Sequence, residues 1–148
     1  MPTEEDAQIT HNSLAELGIT HLKDRPIPEL SGGEQQLVLL ARTLAQHTKI
    51  LLLDEPFSHL DLSNQNTIMG TLNELAHLGK TIVFTTHDPN IATMIADYIL
   101  LMKQGQICAF GAIEDVLTEE RLSIIYQTPI IVENVRGQTV ILMGENRK

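Results

Sequence analysis

The sequence contains no apolar run long enough to cross a bilayer. A spanning helix needs about 18 or more such residues, and the longest runs, such as Tyr98 to Met102, are strand-sized. Basic residues are scarce: 10 Lys and Arg stand against 19 Asp and Glu, a formal net charge of -9. That balance opposes binding to the phosphate backbone of nucleic acid or to anionic lipid, both of which require clustered cations. The single cysteine, Cys108, excludes an internal disulfide, and its apolar surroundings predict a buried, inert thiol. The acidic opening Met1-Pro2-Thr3-Glu4-Glu5-Asp6 lacks both the basic start and the apolar core of a secretion signal. These absences predict a soluble cytoplasmic protein with no direct membrane insertion, whose link to a membrane runs through another protein.

Repeats, low-complexity tracts and linkers are also missing. What is present is 148 residues, 43% hydrophobic and 20% charged, a composition that supports one folded domain with its own core. Ala7, Ile9, Leu14 and Leu17 predict a short helix over 6–17, stopped by Gly18. Arg25-Pro26-Ile27-Pro28 predicts an extended connector. Ser31 then caps a helix over 33–46 that buries Leu37, Leu40, Ala41 and Leu44, with Glu34 completing a capping box.

Ile50 to Leu53 is continuously apolar and predicts a strand buried on both faces of a parallel sheet. Asp61 caps a helix running to Leu78 with Ile68, Leu72, Leu75 and Ala76 on one side, and Gly79 ends it. Thr81 to Thr85 predicts a strand, and Asp88 opens a helix over 89–96. Strands over 98–102 and 106–110 flank the turn Lys103-Gln104-Gly105. Helical stretches over 113–117 and 119–126 follow, and Thr128-Pro129 precedes a last strand pair over 130–133 and 139–143. The order indicates an α/β domain with a small terminal appendix.

Three constellations carry chemistry. In Leu30-Ser31-Gly32-Gly33-Glu34-Gln35-Gln36 two glycines open a helix, so unpaired amides and the positive end of the helix dipole face whatever lies ahead. An ordinary serine-capped helix has the same pattern. In Ile50-Leu51-Leu52-Leu53-Asp54-Glu55 an apolar strand delivers adjacent acids at its C-terminal end, where open α/β sheets place ligands. Asp54 there suits a magnesium ion and Glu55 an attacking water, although a surface acidic edge reads alike. His87, in Thr85-Thr86-His87-Asp88, follows a second apolar strand and suits a γ-phosphate or that same water. A capping or surface histidine is the alternative. His11, His21, His47, His59 and His77 have no comparable context and are read as surface residues.

Taken in order, these strings resemble the motifs of the ABC ATPase superfamily. Leu30 to Gln36 is similar to the signature motif, and Ile50 to Pro56 to the Walker B strand with Glu55 as its catalytic acid. Ser58-His59-Leu60-Asp61 resembles the D-loop, and His87 falls where the family has its switch histidine. Glu34 stands where glutamine is commoner, and Leu37 where arginine often follows.

The resemblance implies a partial P-loop NTPase (RecA-like) core with a mostly parallel sheet, part of the ABC helical subdomain and a small C-terminal β appendix. Residues 1–48 would be the remnant of the helical subdomain, 49–111 the core, and 112–148 the appendix. It further implies ATP and Mg2+ sandwiched in the complete dimeric site. Leu30, Ser31, Gly32, Gly33, Glu34 and Gln35 would serve the nucleotide of a second ATPase subunit, and Asp61 would cross the interface. Asp54 would hold the metal, and Glu55 and His87 would act on ATP bound to their own subunit. Transmembrane permease subunits would hold the protein peripherally on the inner face of the cell membrane.

The family's phosphate loop, G-x-x-x-x-G-K-[ST], does not occur in these 148 residues. In Gly79-Lys80-Thr81 the required first glycine falls at Glu74, and the tripeptide precedes a strand. The chain is therefore expected to be the C-terminal half of such an ATPase, a fragment whose natural start need not be Met1, inactive alone. The tail from Gly111 through Thr128-Pro129 to the closing strands is similar to importer ATPases for iron-siderophores, haem, cobalamin and metal oxyanions. Two rival readings are a chromosome-maintenance or DNA-repair type ABC ATPase and a non-catalytic signature-bearing interaction module. Charge and the lack of heptads before residue 30 oppose the first.

Overall fold

The structure is a computed structural model describing residues 3–144, and it divides into two units, Met1–Thr86 and His87–Lys148. In the first unit, helix α1 (Glu4–Glu16) starts earlier than periodicity indicates. The Thr3 hydroxyl accepts the Asp6 amide at 3.2 Å while the Asp6 carboxylate accepts the Thr3 amide at 2.7 Å. This reciprocal cap satisfies two amides that the helix cannot. The expected extended connector instead contains a 3-10 turn over Ile27–Glu29, closed by the Leu30 amide on the Ile27 carbonyl at 3.1 Å. Pro28 fits it because its fixed φ suits a turn and its missing N-H is not needed there.

Helix α2 (Gly32–Leu44) packs against α1 and buries Leu37, Leu40, Ala41 and Leu44, the face that the spacing indicates. Strands β1 (Ile50–Leu53) and β2 (Thr81–Phe84) pair in parallel, joined through helix α3 (Leu62–His77). Asp61 caps α3 by accepting the Asn64 amide at 2.8 Å, and Gly79 ends the segment at a φ of 85°. Ile68, Met69, Leu72 and Leu75 form its buried face, whereas Ala76 in the last turn is exposed. Lys80 does not cradle an anion. Its ammonium donates to the Thr48 carbonyl at 2.6 Å, and Thr81 begins β2.

Burial of β1 on both faces does not hold. Leu51 is buried, but Ile50 is 58% exposed and Leu52 74%, with Val83 beside them at 54%. Among the described residues β1 pairs with β2 alone, and nothing covers this side of the ribbon. A shallow concavity of about 290 Å³ lies along it, lined by Leu52, Leu53, Asp54, Val83, Phe84 and Thr85.

The second unit packs helix α4 (Pro89–Ile95), hairpin β3 (Ile99–Lys103) with β4 (Gln106–Gly111), helices α5 (Ile113–Val116) and α6 (Glu119–Tyr126), and hairpin β5 (Ile130–Val135) with β6 (Gln138–Met143). Its core is Ala92, Ile99, Val116, Leu117, Leu122, Ile130 and Ile141. Both hairpins turn through two residues with positive φ, Gln104-Gly105 and Arg136-Gly137, whose backbone twist matches that of the strands. Cys108 is exposed, against expectation. The register slips between Leu101 and Met102, so Ala109 and Ile107 take consecutive partners and Cys108 is the extra residue of a bulge.

Asn90 ties α4 to β6. Its carboxamide donates to the Ile141 carbonyl at 3.0 Å and accepts the Ile141 amide at 2.8 Å, replacing a missing strand neighbour. Asn90→Ala leaves both backbone groups of the buried Ile141 without these partners, and is expected to cost about 1–3 kcal/mol. Urea unfolding followed by circular dichroism measures this, and an unchanged midpoint would show that water replaces the carboxamide at no cost.

Candidate functional site

Both the signature-like loop and the acid pair lie in the first unit. The Ser31 hydroxyl accepts the Glu34 amide at 3.3 Å, and the Glu34 carboxylate accepts the Ser31 amide at 2.7 Å. Arg25 reaches the same carboxylate at 3.2 Å and the Glu29 carbonyl at 3.0 Å. Gln35 donates to the Leu30 carbonyl at 3.0 Å, and Leu30 itself is buried. Leu30, Glu34 and Gln35 thus hold the loop in shape, leaving Ser31 and Gly32 exposed at the positive end of α2.

The glycines are not demanded by the fold. Neither has a positive φ. A Cβ at Gly32 would meet nothing nearer than His59 Cβ at 3.9 Å, and one at Gly33 would make ordinary contact with the His59 carbonyl and Leu60 at 3.4 Å. Bare backbone here leaves space for something approaching from outside.

The acid pair follows β1. The ladder runs one bond past the strands, the Thr85 amide donating to the Leu53 carbonyl at 3.0 Å, which sets Thr85 beside Asp54. The Thr85 hydroxyl donates to the Asp54 carboxylate at 2.5 Å and accepts the Glu55 amide at 2.9 Å. Glu55 has a φ of 48°, a left-handed conformation costing a non-glycine residue about 1–2 kcal/mol. Its carbonyl accepts the Ser58 amide at 3.1 Å and the Gln36 carboxamide at 3.2 Å, and its carboxylate accepts the Ser58 hydroxyl at 3.1 Å.

Asp61 is exposed and caps α3. His87, also exposed, is the first residue of the second unit, and its carbonyl accepts the Tyr126 hydroxyl at 3.4 Å. Burial raises the Tyr126 pKa above its ordinary value, with Asp88 adding repulsion. Among the described residues no three His, Cys, Asp or Glu side chains are grouped to hold a metal by themselves. Asp54 offers a carboxylate of the kind magnesium takes, since that ion commonly binds one or two carboxylates with phosphate and water completing its shell.

Reading the sequence missed Gln36, Ser58 and Thr85 as neighbours of the acid pair. The available signal was a run of polar residues directly after an apolar strand, at Thr85-Thr86, opposite two acids.

The Glu34 carboxyl titrates below its ordinary value of 4.5, chiefly through the Ser31 amide, then the Ser31 hydroxyl; desolvation opposes them, and Arg25 and His21 add lesser attraction. A lowered folded pKa stabilises the cap above 4.5 and loses that stabilisation as pH falls through the folded value. The Ser31 amide resonance is therefore expected to shift on acidification below that range, and Glu34→Gln, which keeps an acceptor, removes the step.

The chain is similar to known proteins over most of its length. Residues 2–93 match the family described as "AAA domain, putative AbiEii toxin, Type IV TA system". The chain is 40% identical over 136 residues to the molybdate import ATP-binding protein MolC of Haemophilus influenzae, covering 91% of this chain and 53% of that protein. It is 39% identical over 148 residues to the hemin import ATP-binding protein HmuV of Rhodococcus jostii, covering 99% and 51%. It thus spans about half the length of the curated relatives it matches. Among solved structures it is similar to "an inward-facing conformation of a putative metal-chelate type ABC transporter", with a TM-score of 0.86 at 35% identity over 98% of this chain and 60% of that one. A second is the ADP conformation of MJ1267, an ATP-binding cassette of an ABC transporter, with a TM-score of 0.75 at 30% identity over 86% and 52%. With its signature-like loop, acid pair and cassette fold, the chain belongs to the family of ABC transporter ATP-binding proteins.

Proposed function

We propose that this chain supplies the signature loop and the catalytic acid pair of an ATPase that drives import of a metal oxyanion or metal chelate. It works together with a segment bearing the phosphate loop that these 148 residues lack. The observation that carries this reading is the pairing, in one unit, of glycines the fold does not need with a clamped Asp54-Glu55 pair. The cargo class rests on the relatives, whose names specify import of molybdate, hemin and petrobactin.

In the proposed site the phosphate-loop segment holds ATP, and Asp54 takes the magnesium ion that screens the phosphate charge. Glu55 orients and deprotonates the attacking water, and His87 hydrogen-bonds the γ-phosphate. Ser31, Gly32 and Gly33 of a second ATPase subunit close over that phosphate, their amides stabilising its developing charge. Asp61 lies at the contact between subunits. Permease subunits carry the assembly at the inner membrane face, and among the described residues no helix is long and apolar enough to cross it. The uncovered apolar side formed by Ile50, Leu52 and Val83 supports a requirement for the complementary segment.

The test is to combine the chain with the part of the molybdate import protein that it does not span, and to measure ATP turnover. Turnover is expected in the mixture, with Glu55→Gln lowering it by about 10²–10⁴-fold. Gly32→Ala is expected to stabilise the isolated chain by about 0.4–1 kcal/mol while lowering turnover, because the methyl group fits the fold but obstructs the phosphate. A mixture that pairs tightly without turnover would support a signature-bearing interaction module instead.

A further inference from the structure

We infer that Gln36 and Thr85 are positioning residues for Glu55, together forming a clamp that joins the signature helix to the catalytic loop of the same subunit. The inference rests on the role proposed above for Glu55. Gln36 lies on α2, one turn beyond the Gly32-Gly33 opening, and its carboxamide bonds the Glu55 carbonyl at 3.2 Å. On the other side of the same residue, the Thr85 hydroxyl accepts the Glu55 amide at 2.9 Å and donates its own hydrogen bond to the Asp54 carboxylate. Both backbone groups of Glu55 are therefore held by side chains from other elements, at a position whose φ of 48° a glutamate does not favour by itself.

The geometry has a directional consequence. Gln36 cannot follow a displacement of α2 without pulling on the Glu55 carbonyl, because its backbone belongs to α2 while its side-chain donor is bonded to that carbonyl. Phosphate capture by the amides of Gly32 and Gly33 acts on the first turn of that helix, so its pull reaches Glu55 through one side chain. Thr85 resists that pull from β2, and its hydroxyl couples the carboxylate assigned to the metal with the backbone of the residue assigned to the water. The clamp thus links the nucleotide that α2 touches on one subunit to the acid that acts on the other nucleotide. It requires no contact beyond the first unit.

Two variants isolate the clamp. Gln36→Leu keeps bulk and removes the donor, and Thr85→Val keeps shape and removes the hydroxyl. In the two-part ATPase each is expected to lower kcat about 10- to 100-fold with KM for ATP unchanged, the scale of a small misplacement of a reacting group. Thr85→Ser restores the rate. In a Glu55→Gln background Gln36→Leu does not lower the residual rate further, because a residue acting through Glu55 alone has nothing left to position. Equal losses in both backgrounds, or failure of serine to rescue, would overturn the inference.

If the two-part mixture shows no turnover, the functional reading fails and the clamp is still judged in the chain alone. Amide hydrogen exchange there should accelerate at Glu55 in Thr85→Val and at Ser58 in Gln36→Leu, while the amides of α3 keep their protection. Unchanged exchange at both positions would refute the clamp independently of any activity.

Discussion

A glutamate held in left-handed backbone geometry at the end of an apolar strand is the constraint around which the first unit is organised. At a φ of 48° Glu55 adopts a conformation that a glutamate does not favour, and its neighbours bond it there: Thr85 from the adjacent strand end, Ser58 from its own loop, and Gln36 from α2. The parallel ladder places Thr85, and the packing of α2 places Gln36. Local strain of this kind persists only where surrounding structure over-determines it, and it accompanies groups whose direction matters chemically. The Asp54 and Glu55 carboxylates consequently leave the strand end in fixed relation, one bonded to the Thr85 hydroxyl and the other to the Ser58 hydroxyl.

The same helix that contributes Gln36 begins at the signature-like loop. Its capping box spends Ser31 and Glu34 on each other, Arg25 steadies the carboxylate, and Gln35 holds the loop ahead. These contacts fix the start of α2 without filling the space before it, so the positive end of the helix remains open to an anion. A chain with a net charge of -9 presents little other attraction for phosphate among its surface groups, which makes this local field the significant one. Membership in the ABC family gives these contacts a setting. The proposed sharing of phosphate between subunits gives them a purpose.

Much of this was legible before any coordinates. The caps at Ser31, Asp61 and Asp88 are local bonds spanning two or three residues, so sequence spacing encodes them directly. The two-residue hairpin turn at Gln104-Gly105 is local in the same way. Cys108 was misread because a bulge depends on the register of two strands, which composition does not specify. The exposed side of β1 was misread because apolar composition records what a strand can bury, whereas exposure depends on what is present to cover it. Gln36 and Thr85 escaped notice for a related reason. Their bonds to Glu55 span 19 and 30 positions, and only the folded ladder and helix packing bring them together.

The central claim, that one subunit's signature loop completes the site containing the other's acid pair, is tested most directly by mixing two defective chains. In the two-part ATPase, Glu55→Gln removes the acid, and Gly33→Asp sets a carboxylate against the incoming phosphate. If the sites are shared across subunits, a mixed pair contains one site with both an intact acid and an intact signature loop, and turnover absent from either variant alone returns on mixing. If each chain completes its own site, mixing restores nothing, and the account is contradicted.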